Sequence, residues 1–209
     1  AVGAGVKPSY PGSDDYNLTP GAVVRGKVEN FVFFSRGSNL YVDAIRDNDA
    51  SGLDLEFGPV VNYRADRHSR IEDRQVRALG KLDAALEAGA WVGVAKRGVI
   101  TSDYDNLSFR VTYLHDVTGK HDSHLITPAI EYGTPLSKTT YVGASASTTY
   151  AGKGFGRYYY DVTPAGSLAS GLPVYNRTSS KAGFTRMDFN LLGAKSLSGD
   201  LRKGWAVFA

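Results

Sequence analysis

The sequence predicts an all-β fold of about ten antiparallel strands, and three observations support that prediction. Apolar and polar residues alternate with a period of two in one segment after another, as in a strand and unlike a helix. Polar turns separate these segments. The 209 residues include 24 glycines, 13 tyrosines and no cysteine, and no stretch approaches the roughly 18 apolar residues of a transmembrane helix. A membrane location would therefore require a barrel of strands.

The clearest strands flank a charged loop in the middle of the chain. From Leu53 to Arg64, apolar side chains occupy the odd positions and mostly polar side chains the even ones. A second alternating strand is expected over residues 86–97. Residues 79–90 contain good helix formers, but Gly80 and Gly89 disfavour a long helix, so we expect at most one helical turn before that strand.

The other segments repeat this pattern along the chain. Alternation bounded by turn residues predicts further strands at residues 1–10 (broken by Pro8), 21–34, 39–45, 107–116, 125–134, 140–150, 181–195 and 201–209. Residues 11–20, 46–52 and 135–138 are predicted to be loops or turns. Residues 152–180 form the longest segment without a repeating pattern, and such loops are usually functional or flexible.

The pattern defines two faces but does not decide which one is inside. In a soluble barrel or sandwich the apolar rows form the core, whereas in a transmembrane barrel they face lipid and the charged rows line the lumen. Glycine and tyrosine content and the even repetition of strands favour the membrane version. The side chains then expected to face the lumen are Glu56, Arg64, Glu87, Arg110, Asp116, Arg186 and Asp188.

Several segments, in order over nearly the whole chain, resemble one family. They are GAGVKPSYPGSDDYNLTP at residues 3–20, FGPVVNYR at 57–64, VRALGKLDAALEAGAWVGV at 76–94 and YYDVTPAGSLASGLPVYN at 159–176. Together they resemble the MipA/OmpV family of Gram-negative outer-membrane proteins, the MltA-interacting proteins. The resemblance implies an antiparallel transmembrane β-barrel of roughly ten to twelve strands in the complete protein, with the apolar rows toward lipid.

The resemblance also implies a function. Members of the family are described as scaffolds that link a murein transglycosylase to a murein synthase, and others as adhesins or antigenic surface proteins. No catalytic residues are established for them, so we expect a non-enzymatic scaffold or surface protein. The alternatives are a narrow channel for small solutes and a soluble ligand-binding barrel. Mixed charges in a small lumen would pair and obstruct a wide pore.

The chain length predicts a single domain over residues 1–209, since β-barrels of this size are commonly single domains. The resemblance implies that this domain lies in the bacterial outer membrane. We expect a monomer in contact with lipid and lipopolysaccharide. The chain opens without a signal peptide, which is expected to have been removed. It ends at Phe208-Ala209 without the aromatic last residue of a complete barrel, so we expect one or more C-terminal strands to be lacking.

The charged loop at residues 66–81 is the predicted partner-binding segment. Arg67, Arg70, Arg74 and Arg77 are suited to a protein partner or to anionic lipopolysaccharide, although neighbouring acids would compensate them in a merely solvated loop. Counting strands backward from an extracellular loop at 152–180 places this segment outside the cell. Counting forward from a periplasmic N-terminus places it inside, unless residues 21–45 form one interrupted strand; we prefer the backward count.

Other candidate groups carry weaker signals. Tyr158, Tyr159 and Tyr160 are predicted to belong to an interfacial aromatic girdle, with packing of the loop onto the barrel rim as the alternative. His115-Asp116 with Asp14-Asp15, and the pair His121 and His124, are interpreted as solvated polar residues in preference to a protease or metal site. We expect no cofactor and, since the net charge is only +3 with acids and bases interspersed, no nucleic acid.

Overall fold

The computed structural model describes residues 2–8, 13, 16–22, 24–29, 31–45, 52–68, 71–176 and 181–208. It confirms the all-β prediction. The strands are β1 (Val2–Pro8), β2 (Tyr16–Ala22), β3 (Arg25–Val28), β4 (Phe31–Arg36), β5 (Asn39–Asp43), β6 (Leu53–Arg64), β7 (Ala85–Arg97), β8 (Asn106–Asp116), β9 (His124–Ser137), β10 (Thr140–Ala151), β11 (Gly183–Ser196) and β12 (Ala206–Phe208). Three short helices accompany them: α1 (Arg74–Ala78), α2 (Lys153–Tyr160) and α3 (Pro164–Ser170).

Strands β3 to β12 form one ten-stranded antiparallel sheet in which every strand pairs with its neighbour in sequence. Strands β1 and β2 form a separate two-stranded hairpin. Within the described residues the large sheet is barrel-like but open, with β3 and β12 at its edges. None of the helices in this part of the chain is both long and apolar enough to cross a membrane.

The large sheet has an exposed apolar outer face and a polar inner face. In β6, Leu55 and Phe57 are exposed, whereas Val60 and Asn62 are buried. In β8, Phe109 is exposed and Arg110 is buried. The alternation read from the sequence is therefore real, and it is the polar row that faces inward.

Contacts across the inner face show how strongly the sheet is curled. Arg36 on β4 pairs with Glu131 on β9 at 2.5 Å, although five strand intervals separate them, or roughly 24 Å in a flat sheet. Glycines on this face permit the close approach of strands: a side chain at Gly58 or Gly89 would collide with the carbonyl oxygen of Val42 or Tyr113, respectively.

An aromatic cluster from three strands fills part of the interior. The rings of Phe34 and Tyr41 stack with their centroids 5.1 Å apart, and Trp91 meets both edge-on at 5.5 and 5.4 Å. Trp91 is 1% exposed and donates a hydrogen bond of 3.1 Å from Nε1 to the carbonyl oxygen of Val42. Val60 and Leu114 complete the cluster, which ties β4 and β5 to the middle of the sheet.

Several predicted boundaries were wrong. β2 begins at Tyr16, inside the predicted loop 11–20, and the predicted strand 21–34 is divided between β2, β3 and β4. β9 continues to Ser137, which leaves only a two-residue turn before β10, and the strand expected at 201–209 is confined to Ala206–Phe208. Backbone pairing with a neighbouring strand extends or shortens these segments, and local alternation does not report that pairing.

The two ends of the sheet differ. Because the strands run antiparallel in sequence order, residues 65–68, 71–84, 117–123 and 152–176 all lie at one end, here called the cap end. The opposite end, here called the turn end, carries residues 98–105, 138–139 and 197–205. The longest connections and all three helices therefore belong to the cap end.

At the turn end, Asp105 organises the connection between β7 and β8. Its buried carboxylate accepts hydrogen bonds from the backbone N–H groups of residues 99–102, and from the Tyr132 hydroxyl at 3.1 Å. Burial works against the charged form, but the hydrogen bonds from Thr101, Val99 and their neighbours outweigh it and hold the pKa of the Asp105 carboxyl below its usual range. One side chain thus fixes a whole turn.

Replacing Asp105 by asparagine should lower the melting temperature, because the amide NH₂ turns a donor toward backbone donors. The pKa is lowered in the folded state, so the stabilisation is complete above the unfolded pKa of about 3.9 and is lost as the pH falls from there through the folded pKa. Thermal unfolding in detergent should therefore separate wild type from Asp105→Asn at about pH 7 and less so at about pH 3. Asp103→Asn, an exposed acid of the same turn, is the control; an equal effect of both substitutions would contradict this role.

Candidate functional site

The connections at the cap end, here called the cap, are held together by hydrogen bonds within and between them. The Arg67 guanidinium donates to the carbonyl oxygens of Gly80 at 3.0 Å and Tyr159 at 3.4 Å. The Tyr158 hydroxyl donates to the carbonyl oxygen of Asp83 at 3.2 Å and accepts from the N–H of Asp83 at 3.0 Å. Gln75 on α1 donates to the carbonyl oxygen of Ser170 on α3 at 3.4 Å. The cap is therefore an ordered layer over one end of the sheet.

Glu87 is the centre of a buried polar cluster beneath the cap. Its side chain is fully buried. Arg64 donates to it from Nε at 2.6 Å and from Nη2 at 3.1 Å, and Asn62 donates from Nδ2 at 2.7 Å. His121 Nε2 lies 3.1 Å from Glu87 Oε1. Both carboxylate oxygens are thus occupied, which is what a buried charge requires.

The connection between β8 and β9 reaches this cluster through Asp116. The Asp116 carboxylate accepts hydrogen bonds from the N–H groups of Thr118 at 2.9 Å, His121 at 2.7 Å and Asp122 at 3.0 Å. The loop is folded back by these bonds, so that the His121 ring enters the interior and meets the Phe155 ring at 5.3 Å. Asp116 is therefore a structural residue of the loop and its carboxylate is already engaged.

The four predicted partner-binding arginines have different environments. Arg67 is buried in the cap, so its assignment to a docking surface was wrong: its guanidinium binds backbone carbonyls instead. Arg70 lies outside the described residues. Arg74 and Arg77 are exposed on α1, and within the described ranges no carboxylate forms an ion pair with either of them. Among the described arginines of the four, Arg74 and Arg77 are the ones available to a partner.

The tyrosine triplet belongs to α2. Tyr159 is 7% exposed and packs with Leu125, Ala151 and Phe155, so it does not lie at a membrane interface as predicted. Burial raises the pKa of its phenol. Tyr158 and Tyr160 pack against the same cluster. Hydrophobic contact with the barrel end, the alternative interpretation, describes all three.

The remaining predicted lumenal residues lie along the inner face. Arg110 pairs with Glu131 at 2.8 Å and lies over the Tyr41 ring at 5.1 Å. Glu56 is half-buried on the same side of β6 as Val60. Arg186 pairs with Asp188 on β11 at 2.8 Å. On the inner face, Arg110 and Arg186 are thus each paired with an acid.

A small cavity of about 80 Å³ lies in the interior between the cap and the aromatic cluster. Strands β5, β6 and β8 to β11 and helix α2 contribute its lining, which includes Arg64, Asp66, Thr112, Thr149, Tyr160 and Arg186. Sites for small organic ligands usually measure about 300–1,000 Å³, whereas one water occupies about 30 Å³ in the liquid. The cavity therefore suits a few waters and not an organic ligand.

The groups considered for catalysis or metal binding are scattered. In the described part of the chain, no cluster of three or more His, Cys, Asp or Glu side chains could hold a metal ion. Asp14 and Asp15 lie outside that part. His121 is buried against Glu87, whereas His124 lies on β9 beside Tyr113, with ring centroids 6.2 Å apart. The two histidines of the predicted turn therefore do not act together.

Two features of the cap escaped the sequence analysis. The helix α3 has visible signals: Thr163 caps the Gly166 N–H, Pro164 occupies the first turn, and Gly171 takes a left-handed φ of 73°. The cluster around Glu87 has no local signal, because its other members lie 23 to 34 residues from Glu87 in the sequence. Only the pairing of strands brings them together.

Comparison with known proteins identifies one family. The family model described as MltA-interacting protein MipA matches residues 1–209. No curated protein and no solved structure matches the chain.

Proposed function

Because the chain belongs to the family of MltA-interacting protein MipA, we propose that it is a non-enzymatic scaffold of the Gram-negative cell envelope. In this proposal it is a single barrel domain over residues 1–209, resides as a monomer in the outer membrane and binds an MltA-type murein transglycosylase. The family match over the whole chain is the observation that carries the proposal.

The outer face of the sheet supports a membrane location. Large apolar side chains are exposed along β6 to β9 and β11, among them Leu53, Leu55, Phe57, Val92, Phe109, Tyr113, Ile130, Phe189 and Leu191. A continuous apolar surface of this kind is expected to be covered by lipid or by a partner. Since it extends over successive strands of an antiparallel sheet with a polar inner face, lipid is the cover that we propose.

The difference between the two ends supports an orientation. Outer-membrane barrels have short periplasmic turns and longer extracellular loops, so we propose that the cap end faces outside. The exposed Arg74 and Arg77 would then meet anionic lipopolysaccharide, and a periplasmic enzyme would reach only the turn end. There the Asp105 hydrogen bonds hold a connection on which Ile100 is 65% and Tyr104 is 75% exposed. Rigid exposed aromatic and aliphatic side chains are typical binding anchors.

Binding of a purified MltA-type transglycosylase to the immobilised protein in detergent micelles tests the proposal. We expect wild type to bind, the double variant Ile100→Ser/Tyr104→Ser to lose at least about tenfold in affinity, and Arg74→Glu/Arg77→Glu to bind as wild type. Heat-modifiable migration on a gel verifies that each variant is folded.

The outcomes separate the parts of the proposal. No binding by wild type would refute the scaffold function. Loss of binding only in the arginine variant would keep the scaffold but reverse the orientation. A narrow channel for small solutes is the alternative function, and the interior supports it less, since Arg64, Arg110 and Arg186 are each paired with an acid there.

A further inference from the structure

Two histidines stand side by side on adjacent strands at the cap end. His115 on β8 is directly opposite His124 on β9 in the antiparallel register. The next residue after each of them in the chain, Asp116 on β8 and Leu125 on β9, is buried. Because side chains alternate along a strand, His115 and His124 both project from the outer face. They lie at its cap-end rim, where β8 ends at Asp116 and β9 begins at His124, so solvent reaches them at the edge of the face that we propose is covered by lipid.

The hydrogen-bond pattern identifies the kind of pair. The N–H of Asp116 donates to the carbonyl oxygen of Ser123 at 3.1 Å, so residues 116 and 123 form a hydrogen-bonded pair. The next pair, His115 and His124, is then a non-hydrogen-bonded pair, in which the Cα atoms are about 4.5 Å apart and the side chains are closest. This is the arrangement in which two facing side chains can reach one ligand.

Small neighbours leave room around the pair. His115 is flanked on β7 by Ala88, and the N–H of Gly152 donates to the carbonyl oxygen of His124 at 2.9 Å, which places Gly152 on the other side. A Cβ at Gly152 would lie 3.1 Å from Cε1 and 3.2 Å from Nδ1 of His124. The row across β7, β8, β9 and the residue that follows β10 is therefore Ala, His, His, Gly, with the two imidazoles between the two smallest residue types.

We propose that His115 and His124 form a two-histidine chelate for a divalent transition-metal ion, with solvent in the remaining coordination positions. Neutral imidazole nitrogens bind Cu²⁺, Ni²⁺ and Zn²⁺ at about 2.0–2.1 Å, and Cu²⁺ is bound most tightly for a given ligand set. The Tyr113 ring stacks on the His124 ring at 6.2 Å, which restricts its orientation. The site is distinct from the buried His121, whose Nε2 is engaged by Glu87.

Calorimetric titration of the full chain, without an affinity tag, in detergent with Cu²⁺ alone tests the site. We expect one ion per chain, with affinity at least about tenfold lower in His115→Gln and in His124→Gln. His68→Gln, which removes an exposed histidine of the cap, should bind as wild type.

Electron paramagnetic resonance of Cu²⁺ on the wild-type protein gives a readout that does not depend on variants. Hyperfine structure from two imidazole nitrogens is expected. A signal from one nitrogen or none, unchanged affinity in the double variant His115→Gln/His124→Gln, or an equal loss in His68→Gln would each overturn the proposal.

Discussion

Replacing Glu87 by alanine is expected to reduce the free energy of unfolding by about 3–5 kcal/mol, the usual cost of removing one partner from a buried ion pair. Arg64 would keep its charge in the interior with Asp66 at 3.4 Å as its one remaining ion-pair partner among the described residues, and Asn62 would lose the acceptor of its 2.7 Å hydrogen bond. His121, which joins the cap to the sheet, would lose its contact as well. Urea unfolding of the protein in detergent micelles, followed by the folded fraction on a gel, measures the change.

Two further variants sharpen this test. Glu72→Ala removes an exposed acid of the cap and should change stability by less than about 0.5 kcal/mol. The double variant Arg64→Met/Glu87→Met should cost less than the sum of the single changes, because no unpaired charge is left behind. Additive losses, or a Glu87→Ala protein as stable as wild type, would show that the cluster does not hold the cap.

Replacing Trp91 by alanine should cost about 3–5 kcal/mol, as for other large aromatic residues in a core. The change would leave a cavity between β4, β5 and β7 and remove both edge-on ring contacts. It would also leave the Val42 carbonyl oxygen without its hydrogen bond from Nε1. The same urea unfolding experiment applies, and Trp91→Phe should lose less because it retains most of the ring contact.

The chain contains a matched control for this prediction. Trp205 is 81% exposed at the turn end, so Trp205→Ala should alter stability by less than about 0.5 kcal/mol. Equal losses in the two tryptophan variants would contradict a packing role for Trp91. Loss of stability confined to Trp205→Ala would place the stabilising contacts at the turn end instead.

Most of the strands could be predicted, because alternation is a local property of the chain. β6 was predicted with its observed bounds, Leu53–Arg64, and β7 and β8 to within one residue. Prediction was poorer where tertiary contacts override local preference. α2, with the residues KGFGRYYY, has no favourable local pattern and is stabilised by burying Phe155 and Tyr159 against the barrel end.

One part of the candidate site could also be predicted from the sequence, and another part could not. That Glu87, Arg64 and Asp116 share the face opposite the apolar rows follows from their positions in the sequence. The burial of Arg67 in the cap could not be predicted from the sequence, because its hydrogen-bond acceptors, the carbonyl oxygens of Gly80 and Tyr159, are 13 and 92 residues away. A loop arginine looks the same in a sequence whether it meets solvent or a backbone carbonyl.

By itself, the sequence determined the strands, their two faces and the family, since a period of two and a set of ordered motifs can be read without coordinates. It did not determine which face is inside. The curl of the sheet decided that: the row with Glu87 and Arg110 turned inward, where each charge found a partner across the strands, and the row with Leu55 and Phe109 turned outward. Curvature depends on contacts between distant strands, such as Arg36 with Glu131, and no local pattern encodes them.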